Sequence, residues 1–183
     1  MPFPSRSHWR QWLQKNHRSA DSVWLLYYKK DSGQPSVTYN EAVEEALCFG
    51  WIDSTVRPVD ADRWSQRFTP RKPKSVWSKW NKSRVEKMTA AGLMTEAGMA
   101  AVATARTNGA WTSIDASENG VMPPDLKKAL ASRPTAKKHF MAFPPSARKY
   151  IFEWIYAAKR PETRTRRIEQ TVSQAALNLR ARG

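Results

Sequence analysis

Every segment of this chain that reads as a β-strand lies before residue 70, and from Ser78 onward the pattern is helical. Val23-Trp24-Leu25-Leu26-Tyr27-Tyr28 is β-branched and aromatic, the composition of a buried strand. Residues 51–56 read as a second strand and 62–69 as its hairpin partner. Before the first strand, Ser5 can cap a helix to about Asn16 that buries Trp9, Trp12 and Leu13. Asp31-Ser32-Gly33-Gln34-Pro35 ends the strand as a turn. Thr38 and Glu41 then form a capping box, in which each side chain meets the other residue's free backbone N–H. Tyr39, Ala42, Val43, Ala46 and Leu47 fall on one apolar face behind it, and Gly50 can end that helix in a left-handed conformation. Strands and helices mixed at one end, then helices alone, define an α+β class with an all-helical C-terminal region.

In the helical part, Ser78 can cap a helix to about Ala91, and Thr95 another to Thr107, ended by Asn108-Gly109. The polar stretch 115–124, with Gly120 and two prolines, reads as a linker. Beyond it helices are expected near 125–132 and 136–143. Two stronger ones carry the stripes Ala147, Ile151, Trp154, Ile155, Ala158 and Ile168, Val172, Ala175, Ala176, Leu179. These readings divide the chain into an α+β domain with trailing helices at 1–114 and a helical region at 121–183.

The net charge is +15, and it is uneven: residues 1–50 are nearly neutral, while the excess of Lys and Arg builds up afterwards. Such an excess favours anionic partners through long-range attraction and says little about fold. Nine tryptophans exceed what a core of 183 residues needs, so some are expected at surfaces or clefts. One cysteine excludes an intramolecular disulfide, and the start lacks an apolar signal-peptide core; both lead to the expectation of a cytoplasmic protein. No window is apolar enough to span a membrane.

Five groups of residues bear a family likeness: Leu47-Cys48-Phe49-Gly50-Trp51-Ile52-Asp53-Ser54; Arg67-Phe68-Thr69-Pro70-Arg71-Lys72-Pro73; Ser75-Val76-Trp77-Ser78-Lys79-Trp80-Asn81; Gly92-Leu93-Met94-Thr95 with Gly98; and Ala158-Lys159 with Glu162-Thr163-Arg164 and Arg166-Arg167-Ile168. In this order they resemble the YdeI/OmpD-associated, OmdA-type or bacteriocin-protection proteins, over nearly the whole chain. The resemblance implies a YdhG-like N-terminal domain and an OmdA-type helical region. It implies no enzymatic activity, and links the chain to protection against bacteriocins or cationic peptides. It also implies a protein partner in an envelope-stress setting, although the chain shows no export signal. Some of the related YdhG-like proteins are described as frataxin-like iron chaperones, which supplies an alternative.

The densest candidate site is residues 63–84, with eight basic residues, four aromatic ones and no acidic one. On a strand, Arg63, Ser65 and Arg67 face one way and Trp64, Gln66 and Phe68 the other. On the helix after it, Trp80 and Arg84 are four apart and can stack. Interleaved cations and aromatics suit a single-stranded nucleic acid, and eight phosphate contacts would give a log–log salt slope of roughly −5 to −7. They equally suit an anionic small molecule, or a core with a solvated rim. Asp53 lies between apolar residues on a strand and needs a partner, with Arg71 the first choice. A ligand cleft would then gather Trp51, Asp53, Arg67, Arg71, Trp77, Trp80, Asn81 and Arg84, with Lys159, Arg164 and Arg167 continuing the basic surface. Cys48, near Glu41 and Glu45, reads as a buried structural thiol and no nucleophile. Glu41, Glu44 and Glu45 are where an iron chaperone would have to bind metal, though three glutamates on an exposed face are commonly just solvated. His8, His17 and His139 are too scattered for metal spacing, and no hydrolase, P-loop or dinucleotide motif is present. No catalytic residue and no cofactor is therefore expected.

Overall fold

A computed structural model describes residues 1–182. They form two compact units, Met1–Trp111 and Thr112–Gly183. The first begins with α1 (Arg6–Asn16) and β1 (Val23–Tyr28), then a 3₁₀ turn at Lys30–Ser32. It continues with α2 (Tyr39–Cys48), β2 (Trp51–Pro58), β3 (Arg63–Pro70), α3 (Lys79–Ala90) and α4 (Glu96–Thr107). The strands make one antiparallel sheet in the order β1-β3-β2. The 62–69 segment is thus the hairpin partner of β2 and also the central strand.

The caps read from the sequence form. Ser5, Thr38, Ser78 and Thr95 each accept a backbone N–H in the first turn of α1 to α4, and Thr38 and Glu41 complete the capping box. Val23, Leu25, Phe68 and Trp51 point to one sheet face, where they meet Trp9 and Leu13 of α1 and Ala42, Val43, Ala46 and Leu47 of α2. Trp12 is only partly buried, stacked on Trp9 at 5.3 Å. Tyr39 departs from the expected apolar face: it is the first helical residue, and its ring is exposed while its hydroxyl reaches back to β2.

From Ala42 to Cys48 every residue of α2 is buried, Glu44 and Glu45 included. Glu45 accepts from Arg6 Nε and Arg10 Nη1, both at 2.6 Å, and Glu44 from Arg6 Nη1 and Lys87 Nζ at 2.9 and 2.7 Å. Each buried carboxylate thus has two cationic partners and is not left as an uncompensated buried charge. The C-terminal end of α2 is approached just as closely. Thr95 N and Oγ1 both donate to the Cys48 carbonyl, at 3.1 and 2.6 Å. Gly50 turns the chain into β2 at φ +74°.

The second unit contains α5 (Asp115–Glu118), α6 (Pro124–Ala131), α7 (Pro134–Ala142), α8 (Pro145–Tyr156) and α9 (Pro161–Ala176). Proline opens each of the last four, where its missing N–H costs nothing. Leu126, Leu130, Phe140, Ile151, Ile155 and Ile168 form its core. Several expectations change here: Ala158 lies beyond the end of α8, and Ala176 is exposed at the end of α9. The polar stretch from Asp115 is not all linker: Asp115–Glu118 is helical, with Ser117 buried and its hydroxyl donating to Ile114 O at 2.8 Å. Leu179 leaves its stripe because α9 stops at Ala176 and Asn178 takes φ 57°, so Leu179 is exposed.

A β-carbon added at Gly98 would stand 2.3 Å from the Cys48 carbonyl oxygen, a backbone atom with no freedom to swing aside. Gly98→Ala is therefore expected to cost about 1–3 kcal/mol, read as a lower urea midpoint. An unchanged midpoint would show that α4 can move away from α2.

Candidate functional site

The sheet register brings three polar residues onto the face that otherwise builds the core. Gln66 pairs with Leu25 and Val56, Asp53 with Phe68, and Tyr27 with Trp64. Paired residues of an antiparallel sheet share a face, so Tyr27, Gln66 and Asp53 point to the same side. Gln66 is only 3% exposed. The Tyr27 ring is stacked on Trp64 at 4.1 Å, which fixes the direction of its hydroxyl. Asp53 Oδ2 accepts from Gln66 Nε2 at 2.7 Å and from the Tyr39 hydroxyl at 3.1 Å.

From Tyr39 a polar chain runs to α3. Arg84 lies 6.0 Å from the Tyr39 ring centre, and donates to Asn81 Oδ1 at 3.1 Å and Asn40 Oδ1 at 2.8 Å. The stack of Arg84 on Trp80 that helical spacing allowed is not made; Tyr39 takes that place. Arg71 follows β3, its backbone N–H bound to Gly50 O at 2.8 Å. Its guanidinium lies over the Trp77 ring, 3.6 Å from the centroid, and Nη2 donates to Val76 O at 2.6 Å. The expected Arg71–Asp53 ion pair does not form: the two are close enough for Asp53's charge to act on Arg71, but the carboxylate takes Tyr39 and Gln66 instead.

Among the described residues, the buried side-chain atoms with no hydrogen-bond partner are Tyr27 Oη, Gln66 Oε1, Arg71 Nε and Arg71 Nη1. Each belongs to a residue that bonds Asp53 or lies within reach of its charge. Buried polar atoms are nearly always partnered, so orphans gathered around one carboxylate single out this place as the candidate site. Arg71 stands apart from the other arginines for the same reason. Carboxylates outweigh burial at Arg6, Arg10, Arg63 and Arg164 and hold them above the ordinary arginine value. Burial pushes Arg71 down to about 10, against only a partial opposing effect of Asp53. Burial, and then Asp53, likewise raises Tyr27 and Tyr39 above the usual phenol range.

The remaining expected site residues are placed elsewhere. Trp51 is in the core, against Trp12 and donating to His17 O at 3.2 Å. Arg67 is exposed, on the opposite face of β3 from Gln66. Trp77 is buried beneath Arg71, and Trp80 is 76% exposed. In the second unit Arg164 grips Asp125 with two nitrogens, at 2.5 and 2.9 Å, and Arg167 donates to Trp154 O at 2.5 Å. Lys159 is exposed there. Glu41, Glu44 and Glu45 are no solvated stripe: Glu41 belongs to the capping box and the other two to the buried ion pairs. No group of three His, Cys, Asp or Glu is arranged to hold a metal among the described residues. A depression of about 720 Å³ lined by Arg6, Arg10, Glu41 and Glu45 has both its arginines already paired. Cys48 is buried, its thiol pushed up to about 11 by burial and by Glu45.

Sequence reasoning missed Tyr27, Tyr39 and Gln66 as site residues. A signal existed for two of them: a phenol and an amide at inward positions of predicted strands each require a partner.

Residues 1–101 match the model of a domain of unknown function, DUF8412. Residues 119–178 match the model described as Bacteriocin-protection, YdeI or OmpD-Associated, OmdA, which covers about a third of the chain. No curated protein and no solved structure matches.

Because Asp53 raises Tyr39 beyond the effect of burial, Asp53→Asn is expected to bring Tyr39 ionisation down towards its ordinary value of about 10. An ultraviolet difference titration against Tyr39→Phe reads this. An unchanged curve would mean that the Asp53 charge does not reach the phenol.

Proposed function

We propose, for a chain that belongs to the DUF8412 family of unknown function and carries an OmdA match at residues 119–178, that its first unit is a non-enzymatic binding module for a small anionic molecule. The observation that carries this is Arg71: a largely buried guanidinium with two unpartnered N–H groups and no carboxylate bonded to it. An anion at Nε and Nη1 would supply the charge-assisted bonds that Asp53 withholds. Trp77 beneath Arg71 would define the floor. Asn81 and Arg84 act on the site through Tyr39 and do not touch the anion in this reading.

The description of the OmdA model supports setting this binding in protection against bacteriocins; the single cysteine is what favours a cytoplasmic setting in this reading. A second reading, a surface for single-stranded nucleic acid, is favoured by the exposed Trp80 and by Lys72 and Lys74 on the approach to α3. The two differ in what they require: the first needs Arg71, the second Trp80.

The sign of the stability effect follows from Arg71. Its value in the folded protein, about 10, lies below the ordinary arginine value. Its charge therefore costs stability in full below about pH 10, and the cost fades as pH rises from there towards the ordinary arginine value. An anion bound at neutral pH removes that cost. Acetate or phosphate is thus expected to raise Tm above a chloride control of equal ionic strength. Arg71→Met, which keeps the packing on Trp77, is expected to stay within about 1 kcal/mol of the parent and to lose the response. A rise in Tm that survives in Arg71→Met would overturn the assignment. Salt-sensitive binding of single-stranded DNA that is lost in Trp80→Ala, with no response to small anions, would favour the second reading.

A further inference from the structure

The orphan atoms are of two opposite kinds, and a simple anion satisfies only one of them. Arg71 Nε and Nη1 are donors; Gln66 Oε1 is an acceptor. The amide of Gln66 cannot be turned to exchange its ends. Its Nε2 donates to Asp53 at 2.7 Å, and the reverse orientation would set Oε1 against the carboxylate. The acceptor is therefore fixed in place, 97% buried with its residue, beside a second acceptor, Asp53. A bare anion would leave Gln66 Oε1 unsatisfied and would be repelled by Asp53. A group carrying N–H would satisfy both. Tyr27 Oη can serve either kind of group, since a phenol both donates and accepts.

The charges follow the same division. Arg71 and Asp53 place one positive and one negative side chain in the same buried neighbourhood, and they do not neutralise each other by direct contact. The complement of such a pair is a molecule with one charge of each sign.

We infer that the site takes a small zwitterion of the amino-acid class, with its carboxylate on Arg71 and its ammonium against Gln66 Oε1 and Asp53. This rests on the anion reading above and narrows it. Neither end is expected to bind well alone, because each half-ligand leaves buried partners of the other half unpaired.

The test uses the full chain and calorimetric titration with acetate, methylammonium, glycine, β-alanine, 4-aminobutyrate and trimethylglycine. The three ω-amino acids differ only in the spacing between their charges. One of them is expected to bind about ten-fold or more tightly than acetate or methylammonium, the worth of one charged hydrogen bond. Trimethylglycine keeps both charges but has no N–H, and is expected to fall back to the acetate level. If acetate binds as tightly as every amino acid, the zwitterion inference fails and the anion reading stands. If methylammonium binds and acetate does not, or if none of the six binds, both fail. Trimethylglycine binding as well as the best amino acid would show that charge alone is read, which also overturns the assignment of Gln66.

Discussion

Two buried carboxylates on one helix set the geometry of the first unit. Glu44 and Glu45 lie inside the fold, and α1 and α3 supply the cations that make this tolerable: Arg6 and Arg10 from one side, Lys87 from the other. Helix α2 is thereby tied to both neighbours by bonds that have direction, while its Ala42, Val43, Ala46 and Leu47 pack on the sheet without any. Once α2 is fixed, both of its ends are fixed. The N-terminal end holds Tyr39 over β2. The C-terminal end passes through Gly50 into Trp51, and the Gly50 carbonyl takes the backbone N–H of Arg71. Asp53 and Arg71 are therefore positioned by the same rod.

Against that background the candidate site is conspicuous for what it does not do. The chain pairs its cations where burial demands it. Arg6 and Arg10 find glutamates, and Arg164 finds Asp125. Arg71 has a carboxylate in its neighbourhood and still does not bond it. The reason is local: Asp53 points to the inner face of β2, where Gln66 and Tyr39 reach it first, and Arg71 is drawn the other way by Trp77 and the Val76 carbonyl. Sheet register and a cation–π contact, two separate constraints, hold opposite charges apart.

Much of the architecture was legible because it rests on local chemistry. Ser5, Thr38, Ser78 and Thr95 cap helices wherever they precede an apolar stripe, and the inward alternation of Trp64, Gln66 and Phe68 follows from strand geometry alone. The site was legible in part for the same reason: Asp53 on a strand had to find partners, and Arg71, Trp77, Asn81 and Arg84 lay near each other in sequence. What could not be read was the choice among partners. Which residue bonds Asp53 depends on the order β1-β3-β2, which sets Gln66 on the strand next to it, and on the first turn of α2 leaning over β2. Trp51 shows the converse. It sits two residues from Asp53 on the same face of β2, but at the start of the strand, where its ring packs in the aromatic core against Trp12. The glutamates of α2 were misread as surface because their partners, Arg6 and Lys87, are 38 and 43 residues away in sequence from Glu44.

The unpaired atoms also bear on how this fold is balanced. A buried polar atom without a partner costs about 1–3 kcal/mol, so a cluster of them weighs heavily against the net stability of about 5–15 kcal/mol typical of a domain. A surface defect of that size would relax by rotating a side chain. Here Tyr27 is stacked on Trp64, Gln66 is bonded to Asp53, and Arg71 is pressed on Trp77, so none of the three can turn without giving up a contact it already makes. The strain persists because the surrounding aromatic core and the Glu44–Glu45 network over-determine it.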